Sequence, residues 1–307
     1  MIEQLTRSIH FPTTQSLGTL WYRLREGDLE RLMPFDKEAC GTVTVPTTAD
    51  LDLLVDEAAV DNLSGLANLE PNDIQGIDFT HAPIDDTRLT YIWGLTGLRR
   101  LFLYSSSITD AGLAKLHQLP ALRRLDLRHT AISDKTLAQV DSLPELITLD
   151  IGNPQSGTNF IRHDTTITDV GLQYLRQLTA LRYLFLRHTQ ISDAGLSHLV
   201  MLQNLQTLDL GSTAITDAGL AFLQRLIALQ TLVLDDTPIT DEGLGHLRHL
   251  TALRRLLVGG TAISDEGLDY LRGLSSLREL ELSDTKVTEH GLTRIQSLLP
   301  NCTILFD

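Results

Sequence analysis

A unit of 24 residues recurs along this chain from Ile74 to the C-terminus. Its leading leucines are Leu98, Leu122, Leu146, Leu181, Leu205, Leu229, Leu253 and Leu277. Every step is 24 except that from Leu146 to Leu181, which is 35 and so carries 11 extra residues. A fixed period of this size builds a solenoid. One unit cannot bury its apolar face alone, but stacked neighbours bury a continuous core.

The copy Leu205 to Ala228 reads LQTLDLGSTAITDAGLAFLQRLIA, and the consensus is LxxLxLxxTxI[TS]DxGLxxLxxLxx. Leu208 and Leu210 flank polar Asp209, a period of two that reads as a short strand. Leu220, Leu223 and Leu226 recur every three, which suits a short helix with a 3₁₀ stretch. Thr216 is placed to N-cap that helix, and Asp217 sits in its first turn, where the dipole favours a negative charge. The same reasoning covers Asp110, Asp134, Asp169, Asp193, Asp241 and Asp265, one per helix start. Gly219 sacrifices helix propensity and reads as a close-packing position against the next unit. The first copy, Ile74 to Gly97, is degenerate. Ile77, Phe79, Ile84, Asp86, Leu89 and Ile92 hold the frame, but Arg88 replaces the glycine.

This unit resembles the leucine-rich repeat family, in the TDxGL form of bacterial leucine-rich proteins and of eukaryotic F-box and related proteins. The likeness covers about three quarters of the chain. It implies an α/β fold: a right-handed solenoid (horseshoe) with a parallel concave β-sheet, short convex helices and about nine repeats plus caps. It also implies a ladder of hydrogen bonds between coils at the position after the strand. The family has Asn or Cys there; this chain has Ser106, Thr130, Thr165, Thr189, Thr213, Thr237, Thr261 and Thr285. The function it implies is a non-catalytic scaffold that binds a protein or peptide on the concave face. The alternative is an adaptor or effector that selects targets for a ubiquitin-type ligase. An F-box would open with Leu-Pro and an apolar helical pattern, and residues 1–40 show neither.

The domain reading follows the repeat. Residues 1–40 form a non-repetitive arm or cap, and 41–73 an N-terminal cap with half a repeat, since Leu63, Leu66 and Leu69 share the repeat-helix frame. Residues 41–56 suggest two short strands around Pro46. The solenoid runs over 74–299 and a capping strand over 300–307, with Cys302 as a small buried hydrophobe.

Net charge is −14 over 307 residues. Such a balance argues against DNA, RNA or an anionic membrane as the main partner. Only Cys40 and Cys302 occur, too few for disulfide caps, and no stretch approaches a membrane span. A cytoplasmic monomer is the expectation, and the methionine start and length suggest a whole product. No phosphate-binding glycine loop, GxSxG or HExxH motif is present, so neither enzyme activity nor a cofactor is expected.

Strand alternation turns the residues between the leucines outward. Arg100, Phe102, Tyr104, Arg124 and Arg128 fall in units two and three, and Tyr183, Phe185 and Arg187 in unit five. Aromatic and Arg side chains dominate interface energies, so this group is the expected partner site. Arg128 or Arg187 can alternatively stack on a ring of a neighbouring unit. Arg128-His129-Thr130 and Arg187-His188-Thr189 repeat one motif, and Arg162-His163-Asp164-Thr165 ends the insertion. His129, His163 and His188 therefore share a rim, with His129 and His188 about 10 Å apart. A metal or anion site there is a second alternative; a structural or partner-rim role is the plainer one. The insertion, 152–163, offers Phe160 and Ile161 to the rim or to a partner.

Overall fold

The computed structural model describes residues 5–26, 29–80, 82–153 and 165–306. They form two compact units, one up to Ile132 and one from Ser133 on.

Unit one opens with β1 (Thr6–His10), β2 (Gly18–Glu26), β3 (Leu29–Glu38), β4 (Thr42–Pro46) and β5 (Leu51–Val55). β1 pairs antiparallel with β4, and β2 lies antiparallel between β3 and β5. Among the described residues, 5–40 contain strands and no helix. From β5 the pairing becomes parallel, through β6 (Gly76–Asp78), β7 (Arg100–Phe102) and β8 (Arg124–Asp126). Leu53, Ile77, Leu101 and Leu125 stand in register across these strands and are fully buried.

Unit two repeats the plan. Its strands are β9 (Thr148–Asp150), β10 (Tyr183–Phe185), β11 (Thr207–Asp209), β12 (Thr231–Val233), β13 (Arg255–Leu257), β14 (Glu279–Glu281) and β15 (Thr303–Leu305), all parallel. Leu149, Leu184, Leu208, Leu232, Leu256 and Leu280 form its buried ladder. Each such side chain contributes roughly 1.5–3 kcal/mol on burial. The ladder ends at half-buried Ile304, beside buried Cys302.

Most helices begin where the sequence places them; after Asp110 the chain makes turns and a 3₁₀ helix only at Leu116–Gln118, and after Asp265 a 3₁₀ helix starts at Gly267. In Asp217–Leu220 the Thr216 side chain accepts from Ala218 N–H as N-cap, and a 3₁₀ turn follows at Ala221–Arg225. The helix-start aspartates do more than favour a dipole. Oδ1 of Asp193 accepts the backbone N–H of Thr216 at 2.7 Å, and Oδ2 accepts its hydroxyl at 2.6 Å. Asp217 holds Thr240 in the same way, and Asp241 holds Ser264. Asp86, Asp134, Asp169 and Asp265 repeat the arrangement on Thr109, Thr168, Ser192 and Thr288. The aspartate is thus a clamp on the following coil.

The recurring position of the glycine follows from that clamp. A Cβ on Gly219 would lie 2.3 Å from Asp193 Oδ1, and Gly195, Gly243, Gly267 and Gly291 face the same contact. Where Arg88 replaces the glycine, its guanidinium instead bonds the carbonyl of Val60 and the carboxylates of Asp61 and Asp85.

The threonines after the strands correct the family expectation. Their hydroxyls donate within their own coil, to the carbonyl three residues back: Thr189 to Leu186 and Thr213 to Leu210 at 2.6 Å, Thr237 to Leu234 at 2.5 Å. The coil-to-coil ladder is the aspartates' work. Thr165 donates to Ile151 across the extra residues, so the insertion leaves the flanking bond in place.

The Asp265 carboxyl sits below the usual carboxylate range, chiefly because Thr288 donates to it from backbone and hydroxyl. A depressed acid stabilises the fold above its unfolded pKa, and that contribution is lost as pH falls through the folded value. Titrating the chain downward from neutral pH should therefore expose Asp265 late. Its carboxyl carbon shift, followed by NMR in the wild type and in Thr288→Val, should move at higher pH in the variant.

Candidate functional site

In unit one the strand face carries a cluster built on β7 and β8. The Arg124 guanidinium lies over the Phe102 ring at 5.1 Å, and Arg128 over Tyr104 at 4.8 Å. Arg128 is also held by Asp126, through Nε at 3.0 Å and Nη2 at 2.6 Å. His129 meets Tyr104 edge-on at 5.5 Å. Both rings are partly exposed, Arg124 is exposed, and Asp126 and His129 are buried. Each arginine comes from the coil after its ring, so the stacking is between coils, and it orients rings that still reach solvent.

Arg100, read from alternation as outward-facing, is buried at 7% exposure. Its Nε donates to Asp52 Oδ1 at 2.8 Å, Nη2 donates to the same oxygen at 2.6 Å, and Nη2 also reaches Asp50. Burial opposes the charge, but Asp52 and Asp50 outweigh it and raise the guanidinium above its ordinary pKa. Arg23 grips the other oxygen of Asp52 at 2.6 Å. The bridge passes over Gly76, where a Cβ would lie 2.0 Å from Asp52 Oδ1. Arg100 therefore ties the cap strand β5 to β7 and is not available to a partner.

In unit two, Tyr183 and Phe185 are partly exposed on β10, with the Tyr183 hydroxyl donating to Gln206 at 3.2 Å. Among the described residues Arg187 stacks on no ring. It reaches Asp209 at 3.4 Å and Asp235 at 2.7 Å, lying across Gly211, whose Cβ would be 2.4 Å from its Cζ. Burial pushes the Asp235 carboxyl up, and Arg187 only partly counters this.

The histidine rim has a backbone explanation. His129 and His188 have φ of 53° and 56°, and Ser105, Ser212, Asp236, Gly260 and Asp284 occupy the same left-handed slot in their coils. The position is a turn that tolerates short polar residues and glycine. Burial lowers the His188 pKa, and the neighbouring Arg187 adds to this. His163, Asp164, Phe160 and Ile161 lie outside the described residues. Among the described residues no group of three or more His, Cys, Asp or Glu is placed to hold a metal.

Stacked coils, a strand ladder on one side and short capped helices define a repeat solenoid. Residues 161–302 match the family described as a leucine-rich repeat region, and the fold is that of a leucine-rich repeat solenoid. No curated protein matches it. Among solved structures it is similar to internalin C2 of Listeria monocytogenes, at 23% identity over 82% of this chain and 93% of that one, with a TM-score of 0.56. A second internalin of that species shares 19% identity over 83% and 86% of the two chains, at a TM-score of 0.55. A leucine-rich repeat protein of Leptospira interrogans shares 20% over 78% of this chain and 62% of that one, also at 0.55. These likenesses carry the fold.

Proposed function

We propose that this chain is a non-catalytic scaffold that binds a protein or peptide through its strand faces. In unit one the contacts are Phe102, Tyr104, Arg124 and Arg128, with His129 supporting Tyr104 from below the surface. In unit two they are Tyr183 and Phe185. The observation that carries the reading is the pair of ring–guanidinium stacks on β7 and β8. Rings held in place lose little freedom on binding, and such anchors supply most of an interface's energy. The leucine-rich repeat fold supports the same class of function.

Replacing Phe102 and Tyr104 together by serine removes both rings without touching the buried ladder. Thermal stability should change by less than about 1 kcal/mol, because neither ring is in the core. Capture of binding proteins from a lysate should be lost, while Thr231→Ala on strand β12 leaves it unchanged. Equal capture by the double serine variant would refute this face.

A cytoplasmic monomer completes the proposal. It rests on the two unpaired thiols, Cys40 half-exposed and Cys302 buried, which suit a reducing compartment. Light scattering on the purified chain tests the oligomeric state.

A further inference from the structure

The charge of unit two is sorted within each coil. Five segments run from the end of each short helix back to the next strand: 173–182, 197–206, 221–230, 245–254 and 269–278. Together they hold seven arginines and three histidines against one carboxylate, Asp269. The segments that follow each of them, 183–196, 207–220, 231–244, 255–268 and 279–292, hold 13 carboxylates against three lysines or arginines. The second set supplies the strand faces and the aspartate clamps. The first set is the helix-end side, the 3₁₀ turns and the returns to the strands, whereas the α-helix starts with their carboxylates belong to the second set.

All seven of those arginines are exposed. Among the described residues none of them is ion-paired, unlike Arg100, Arg128, Arg187 and Arg255, whose carboxylate partners are within hydrogen-bond reach. Asp269 is taken by Arg294. Large apolar side chains are exposed on the same segments: Met201 at 56%, Phe222 at 37%, Ile227 at 65% and Tyr270 at 45%. Phe222 and Tyr270 occupy one repeat position, together with Tyr174, and His198 and His246 fill that position in the coils between. Side chains bridge neighbouring coils at two steps of this series, Arg176 donating to His198 at 3.1 Å and Gln224 bonding His246 at 2.9 Å.

We infer that the helix-end side of unit two is a second docking surface, and that it takes an acidic segment of a partner protein interspersed with apolar side chains. Unpaired, exposed guanidiniums in a chain of net charge −14 give the surface a sign opposite to its surroundings. That contrast selects carboxylates locally. The apolar residues between the arginines supply the area that charge alone does not. A nucleic acid is the less suitable occupant. The acidic remainder of the chain repels a long polyanion.

The test is fluorescence anisotropy of the full chain with a fluorescein-labelled peptide of repeated Glu-Glu-Phe-Asp-Leu units. Binding should be present at low salt and weaken as salt rises, as expected for exposed charges. Arg225→Glu with Arg248→Glu should reduce affinity by about tenfold or more, with an unchanged thermal melt, because both side chains are exposed. Arg225→Lys with Arg248→Lys should retain most of it. Phe102→Ser with Tyr104→Ser should leave this binding untouched, which separates the helix-end side of unit two from the strand face of unit one. The inference is overturned by an absence of salt-sensitive binding, by equal binding of the charge-reversed variant, or by loss of binding in the serine variant. It is equally overturned if an oligothymidylate displaces the peptide and depends on the same two arginines.

Discussion

Gly219→Ala should destabilise the chain by about 3–5 kcal/mol, although helix propensity alone predicts a gain of up to about 1 kcal/mol. The two effects have opposite signs, so the experiment decides between them. Gly219 is the third residue of a short helix, where alanine would ordinarily help. Its missing Cβ, however, is the space into which Asp193 projects, at 2.3 Å. A carboxylate is the free end of a side chain and can swing away, but here only by leaving Thr216, whose N–H and hydroxyl it accepts at 2.7 and 2.6 Å. Hydrogen bonds to a charged group contribute about 1.5–3 kcal/mol each, which sets the expected loss. Urea denaturation should show a lower midpoint with an unchanged slope. In a double-mutant cycle, Asp193→Ala should cost little more once Gly219→Ala is present, because the same bonds are already gone. Additive losses, or a stabilised Gly219→Ala, would show that the glycine does not act through the clamp.

The coil architecture was legible because its signal is redundant. Leu208, Leu232 and Leu256 recur at one spacing, and only stacking buries them all. The capping role of Thr216 was legible for a similar reason, since the residue type and its place before Asp-x-Gly-Leu agree. What periodicity concealed was which neighbour each polar residue serves. A helix-start aspartate already has a sufficient local explanation in the helix dipole, so the bond from Asp193 to a threonine 23 residues on left no separate mark. The shared histidines misled in the opposite sense. His129 and His188 look like a repeated ligand, whereas their shared feature is a left-handed backbone slot that Ser212, Asp236 and Gly260 also fill. Of the strand-face cluster, alternation found Phe102, Tyr104, Arg124 and Arg128. It gave Arg100 the correct strand but not its burial, because Asp50 and Asp52 belong to the cap, outside the repeat frame.

Arg100→Ala is the complementary case, where the expected loss is of stability and not of binding. Removing one partner of a buried ion pair strands the other, at a cost of about 3–5 kcal/mol. Asp52 is 6% exposed, so water cannot replace the lost guanidinium, and Arg23 occupies only one of its oxygens. Asp50 is better placed to recover, being 28% exposed and in reach of Arg99 at 3.4 Å. The penalty therefore falls on Asp52, and it has a specific remedy. Arg100→Met combined with Asp52→Asn removes the stranded carboxylate charge while leaving an amide oxygen to accept from Arg23, and should restore part of the loss. Because Asp52 lies on the cap strand β5, the single variant should loosen the cap first. Hydrogen exchange should then quicken at the amides of Leu53 and Leu54 before it does in β12. If Arg100→Ala instead melts like the wild type and loses only partner capture, the guanidinium belongs to the binding face and the bridge across Gly76 is dispensable.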